Sequence, residues 1–169
     1  MTDSFRKIDP REITDNAFKI IADEWMLITA GKPGAINTMT ASWGALGELW
    51  NKKVAICFVR PTRYTYEFME RETIFTLSFF APEYRKALDI CGTLSGRDGD
   101  KIGKAGLSPV ELANGGFGFA EARLILRCRK IYADDLDPSK FLVPEIQRNY
   151  PKKDYHRMYI GEILDCLVK

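Results

Sequence analysis

The plainest pattern in the chain is a two-residue alternation. Between Arg71 and Phe80, the side chains of Phe75, Leu77 and Phe79 fall on one face and those of Thr76 and Ser78 on the other, the spacing of a half-buried strand. The same period returns where Ala122, Leu124, Leu126 and Cys128 interleave with Arg123, Ile125, Arg127 and Arg129, predicting a long strand with one apolar and one largely basic face. Val54 to Val59 is an unbroken apolar run of strand length; it stops at Arg60-Pro61, where the proline ring pushes its predecessor away from helix. Trp25 to Thr29 and Ala35 to Trp43 flank a turn at Gly31 to Gly34 and read as a hairpin, and Tyr155 to Leu167 reads as extended.

A helical period occurs twice. Phe18, Ile21, Ala22 and Trp25 stand at i, i+3, i+4 and i+7 behind Thr14, whose hydroxyl is placed to cap free amides. Tyr84, Ala87, Leu88 and Cys91 repeat the spacing behind Pro82, with Gly92 as the expected stop. Long strands with short helices tucked between them, and no regular βαβ rhythm, predict a mainly β chain. The expected form is a closed antiparallel barrel with helical decoration rather than a doubly wound sheet. With 169 residues, no internal repeat and no linker, one domain is expected.

Composition narrows the function classes. A net charge of +2 supplies no field that would draw nucleic acid or an anionic membrane, so any anion site must be local. No run approaches the roughly 20 apolar residues of a membrane span. The opening residues carry no apolar leader, and a cytoplasmic location is expected. Cys57, Cys91, Cys128 and Cys166 are scattered, without the CxxC or Cys/His spacing of a zinc site, which predicts reduced, buried thiols and no metal.

Three segments carry candidate chemistry. The first, Asn37-Thr38-Met39-Thr40-Ala41-Ser42-Trp43-Gly44, sets short polar side chains around one large aromatic ring. The second, Arg60-Pro61-Thr62-Arg63-Tyr64-Thr65, joins a strand end to a helix start with two guanidiniums and several hydroxyls, a composition suited to phosphate. Taken alone, it reads rather as a threonine cap beside solvated arginines. The third, the glycine-rich run from Cys91 through Gly92, Ser95 and Gly96 to Lys101, reads by itself as a surface connection. Neither GxGxxG nor GxxxxGK[ST] occurs, so a dinucleotide crevice of the Rossmann kind and a P-loop have no support. The single histidine, His156, has no nucleophile elbow near it. Small barrels that bind single-stranded nucleic acid also combine aromatics with cations, but the near-neutral charge disfavours that class.

In this order, the three segments, the Phe75 to Phe79 strand and the closing His156 to Glu162 stretch resemble the flavin reductase-like family, the FMN-binding split barrel, and especially its flavoredoxin-like branch. The resemblance covers roughly residues 20 to 165 and implies a Greek-key-like split β-barrel with bound FMN. It implies that Thr38, Met39, Thr40, Ala41, Ser42 and Trp43 line the isoalloxazine, with Asn37 also in the cofactor site. Arg60, Arg63 and Thr65 would hold the ribityl phosphate, with Pro61 and Tyr64 beside them in the cofactor site. Ser78, Phe79 and Phe80, with Cys91, Gly92, Ser95, Gly96 and Lys101, would complete the pocket, Lys101 serving either end. The implied activity is an NAD(P)H-dependent flavin reductase, with hydride passing from the nicotinamide to the flavin and His156 a weak candidate for contact with nicotinamide or substrate. The alternative is an electron carrier that keeps FMN bound and serves a redox protein partner. The family's habit implies a homodimer with FMN near the interface, and neither nucleic acid nor membrane as a partner.

Overall fold

The computed structural model describes residues 5–169. Ten strands run in chain order: β1 Arg6–Ile8, β2 Met26–Lys32, β3 Ala35–Ala41, β4 Gly44–Leu49, β5 Lys52–Val59, β6 Ile74–Phe79, β7 Pro109–Glu111, β8 Phe117–Phe119, β9 Leu124–Asp135 and β10 Arg157–Val168. Four short helices intervene: α1 Ala17–Ala22, α2 Tyr64–Arg71, α3 Arg85–Thr93 and α4 Lys101–Lys104. The main sheet follows the antiparallel path β3-β2-β6-β9-β10-β5-β4, and β1 adds to the far half of β10; β7 and β8 pair separately.

β3 and β4 are the two ends of that path and are not bonded to each other, so the closure expected from the strand rhythm is incomplete and the barrel is split. The chain crosses the gap through Ser42 and Trp43 alone.

The sheet buries both faces. Met26, Ile28, Phe75, Leu77 and Phe79 fill the barrel, while Leu27, Ile125, Leu88, Cys91 and Phe119 form a second core against α3 and the β7–β8 hairpin. This second cover corrects the expectation that β6 is half-buried: Thr76 and Ser78 are fully buried, and the Thr76 hydroxyl donates to the Phe117 carbonyl. The basic face of β9 is likewise partly interior. Ile125 is buried, and buried Arg127 reaches Asp165 at 3.0 Å.

The helices differ from the sequence reading at their ends. α1 is capped by Asn16, whose side-chain oxygen accepts from the Phe18 and Lys19 amides, not by Thr14. It buries Ile20 and Ile21 while Phe18 is 88% exposed, and Trp25 leaves the helix at φ 71°. Pro82 opens a 3₁₀ turn before α3, and Gly92 lies inside α3 rather than ending it. Its role is packing, since a Cβ there would meet the Thr40 Cβ at 3.2 Å. Among the described residues, no helix is long and apolar enough to cross a membrane.

Gly161 marks a register shift between β10 and β9, and an added Cβ would come within 2.5 Å of the Phe75 ring and 2.8 Å of the Cys128 Cβ. Gly161→Ala is therefore expected to destabilise the fold by about 1 to 3 kcal/mol through overpacking. Urea unfolding measures this, and an unshifted midpoint would show that the ring and strand yield without cost.

Candidate functional site

At the split, the end of β3, the Ser42-Trp43 crossing, the end of β5 and one face of α3 enclose a cavity of about 390 Å³. Met39, Thr40, Ala41, Ser42 and Trp43 form one wall, Leu88 and Gly92 another, and Phe58, Arg60 and His156 a third. The helix is seated by two contacts: the Thr40 hydroxyl donates to the Leu88 carbonyl, and Gly92 admits the approach. Because β3 is an edge strand, alternate amides along it face away from β2 without a ladder partner.

His156 is 8% exposed, with its ring 5.0 Å from that of Trp43 and its Nδ1 2.9 Å from the Tyr150 hydroxyl. Burial pushes its pKa from 6.5 down to about 4; the nearby Arg60 charge adds to the fall and Asp154 opposes it. The imidazole is thus neutral at physiological pH. Arg60 itself is committed to the segment that carries the histidine, donating to Asp154 at 2.9 Å and to the Asn149 carbonyl at 2.8 Å while lying over the Tyr150 ring.

A smaller hollow of about 90 Å³ adjoins the cavity and shares Arg63 and Thr93 with it. Thr62, Thr65, Ser95 and Lys101 also line it, at the start of α2, whose first turn has no side-chain cap. Arg63 donates to the Gly92 carbonyl at 2.7 Å. Lys101, 4% exposed, donates to the carbonyls of Cys91 and Leu94 at 3.0 and 3.2 Å. Neither cation meets a carboxylate among the described residues. Burial lowers the Lys101 pKa to about 8; the Cys91 thiol opposes this and the Arg63 charge adds to it. Burial also lowers the pKa of Arg63, with a further push from Arg60.

The structure distributes the remaining candidates unevenly. Asn37 donates its side-chain amide to Thr65 at 2.8 Å, tying the first segment to the second, and Gly96 packs directly on its oxygen. Tyr64 borders the hollow. Pro61 is exposed in the turn before it. Thr38, Ser78, Phe79, Phe80 and Cys91 are interior and do not line the cavity. Thr38 bonds to Thr29 and the Ile28 carbonyl, and burial raises the Cys91 thiol pKa, which keeps it protonated and unreactive. Arg60 borders the cavity but not the hollow. Sequence reasoning missed Trp25, Phe58, Leu88 and Asp89 in the lining. Only Phe58 and Leu88 had a signal, as residues at a strand end and on a helix face.

An open antiparallel barrel with a cation-rimmed cavity at its split defines the class, a ligand-binding split barrel. The flavin reductase like domain family matches residues 18–169, and the chain belongs to that family. No curated protein matches by sequence. Among solved structures, an FMN-binding domain of a flavin reductase-like enzyme from Shewanella baltica aligns with TM-score 0.70 at 18% identity, over 97% of this chain and 76% of that one. A flavoredoxin from Methanosarcina acetivorans gives TM-score 0.68 at 22% identity, over 96% and 76%. An NADH:FAD oxidoreductase from Streptomyces globisporus, in complex with NAD and FAD fragments, gives 0.66 at 16%, over 86% and 74%. At these identities the structural likeness carries the fold.

The chain has one histidine, so its imidazole proton signals are unambiguous in a nuclear magnetic resonance titration. They are expected to stay at their neutral position from pH 8 down through 6.5 and to move only near about 4. The unfolded chain takes up this proton at the ordinary value and the folded chain refuses it, so this group makes stability rise with pH between about 4 and 6.5 and adds no slope above. A midpoint near 6.5 would overturn the buried, neutral assignment.

Proposed function

We propose that this chain is a cytoplasmic FMN-binding oxidoreductase that uses NAD(P)H as co-substrate. The ribityl phosphate would sit in the hollow at the start of α2 and the isoalloxazine in the cavity at the split. The observation that carries this reading is a pair of cations, buried Lys101 and half-buried Arg63, that donate to carbonyls and meet no carboxylate among the described residues. Buried charge is retained where something neutralises it, and a phosphate dianion is the partner this pair lacks.

The donor set fits that group. Thr62, Thr65 and Ser95 bring hydroxyls to the hollow, and the uncapped first turn of α2 brings amides. In the cavity, Trp43 offers a flat apolar wall and the edge of β3 offers amides suited to the carbonyl oxygens of a flavin ring. When bound, the flavin supplies a two-electron acceptor for nicotinamide hydride. The chain's own part is to bind and orient. His156, neutral and packed against Trp43, closes one side of the cavity without adding charge. No side chain is needed as an acid or base.

The test is an anaerobic absorbance titration of the protein loaded with FMN. Bleaching by NADH or NADPH alone is expected. Bands that persist with both and bleach only with dithionite would instead favour the flavoredoxin-like electron carrier and a protein partner. Arg63→Ala is expected to weaken FMN by about 1.5 to 3 kcal/mol while sparing riboflavin, which lacks the phosphate. Equal loss for both flavins would remove the phosphate from this hollow.

The proposal includes a homodimer with the flavin near its interface. A mostly apolar groove of about 550 Å³ adjoins the cavity, sharing Ser42, Trp43 and Phe58, and the highly exposed Phe18 stands on its rim. A large exposed apolar surface of this kind suits a second copy. Sedimentation equilibrium is expected to give a dimer that Phe18→Glu shifts toward monomer, and a monomeric wild type would remove this part of the proposal.

A further inference from the structure

The two cations of the hollow differ in kind. A guanidinium keeps its proton in a protein, whereas a lysine amine yields its own when burial and a like charge disfavour the ammonium. Lys101 is seated for either state. Its Nζ donates to the carbonyls of Cys91 and Leu94 at 3.0 and 3.2 Å, and these two bonds use both hydrogens of a neutral amine. What remains on the nitrogen is left to the spaces that the side chain lines, the hollow among them. In the ammonium that remainder is a third N–H; in the amine it is a lone pair. Protonation therefore decides whether Lys101 offers an anion a donor or an acceptor.

The groups packed around Lys101 favour the amine in the free chain. The segment before α2 presents the Arg63 guanidinium, which disfavours a second charge, and α3 presents the Cys91 thiol, which burial keeps protonated. Tyr64, beside Arg63, has its ring under the Arg97 guanidinium. The nearby carboxylates are engaged elsewhere: Glu67 of α2 pairs with Arg97 at 2.5 Å, and Asp100 accepts the Gly103 amide at 2.9 Å at the start of α4. Asp98 and Lys104 are exposed, and β3 contributes only the uncharged Asn37, bonded to Thr65. A phosphate dianion between Arg63 and Lys101 reverses this balance, because its charge favours the ammonium and its oxygens accept the third N–H.

We infer that loading of the flavin phosphate is proton-coupled: Lys101 takes one proton from solvent as the phosphate enters the hollow and returns it on release. The inference rests on the flavin reading above and adds its regulation, with the cofactor retained at neutral pH and discharged as the solution turns alkaline. In the free chain the amine titrates at about 8. In the loaded chain it titrates higher, so between the two values each rise in pH weakens binding.

Calorimetric titration of the full chain with FMN and with riboflavin tests this by binding heat alone, at pH 8 and pH 9, each in two buffers of different ionisation heat. The difference between buffers counts the protons taken up. For FMN about half a proton is expected at pH 8 and nearly one at pH 9, and for riboflavin, which lacks the phosphate, none. FMN affinity, taken relative to that of riboflavin, is expected to fall about tenfold from pH 7 to pH 9. Lys101→Met is expected to abolish both the uptake and the fall. FMN heats that agree between buffers at both pH values overturn the inference and leave the FMN reading standing. Uptake that is equal for riboflavin, or that survives in Lys101→Met, belongs to another group and overturns it as well. Binding of neither flavin overturns the flavin reading and this inference with it.

Discussion

β3 and β4 follow each other in the chain with only Ser42 and Trp43 between them, yet β3 pairs with β2 and β4 with β5. They do not pair with each other, so the sheet stays open between them. An open edge leaves amides and carbonyls without partners, and such groups must be covered, hydrated or given to a ligand. α3 covers part of the opening through Thr40 and Gly92. The segment from Asn149 to His156 covers another part, drawn in by Arg60. What remains is the cavity. Its position is set by strand pairing far from it, above all by the long β10, which holds β5 and β9 on either side.

Electrostatics separates the cations neutralised within the fold from those that are not. Arg127 and Lys101 are comparably buried, but Arg127 meets Asp165 and is neutralised within the fold. Lys101 meets only carbonyls, and for it the cost of desolvation outweighs every nearby charge in setting the direction of its pKa. Arg60 belongs with the first kind, since Asp154 answers its charge, and its work is to hold the wall that bears His156. The same burial that leaves Lys101 short of a partner keeps His156 uncharged, so the positive field of the site is concentrated at the hollow rather than spread through the cavity.

Most of the strands were legible because their signal is local: alternation in β6 and β9, and an apolar run stopped by proline in β5. Which faces are buried was less so. Thr76 and Ser78 look like a solvent face until the β7–β8 hairpin packs on β6, and that hairpin lies more than thirty residues downstream. Phe18 misled in the opposite direction, because a helical period locates a face without saying what lies against it. The site was legible as three segments but not as a geometry. The arginines of the second segment look equivalent in sequence, yet Asp154 claims Arg60 and leaves Arg63 to the hollow. Trp25 entered the cavity lining through a positive φ that no local pattern announces.

The absence of a carboxylate beside Arg63 and Lys101 has a thermodynamic side. Two like charges held close, each partly desolvated, oppose folding when nothing answers them. A carboxylate at Ser95 or Thr93 would relieve that opposition and would also occupy the hollow permanently. The chain instead carries hydroxyls there, which donate to an anion and repel nothing. Stability is thereby lower in the empty chain, and an anion that binds the folded state alone returns it by mass action. On the proposed reading the hollow is an unfinished ion pair, completed by a ligand whose charge, unlike that of Asp165 beside Arg127, is not part of the sequence.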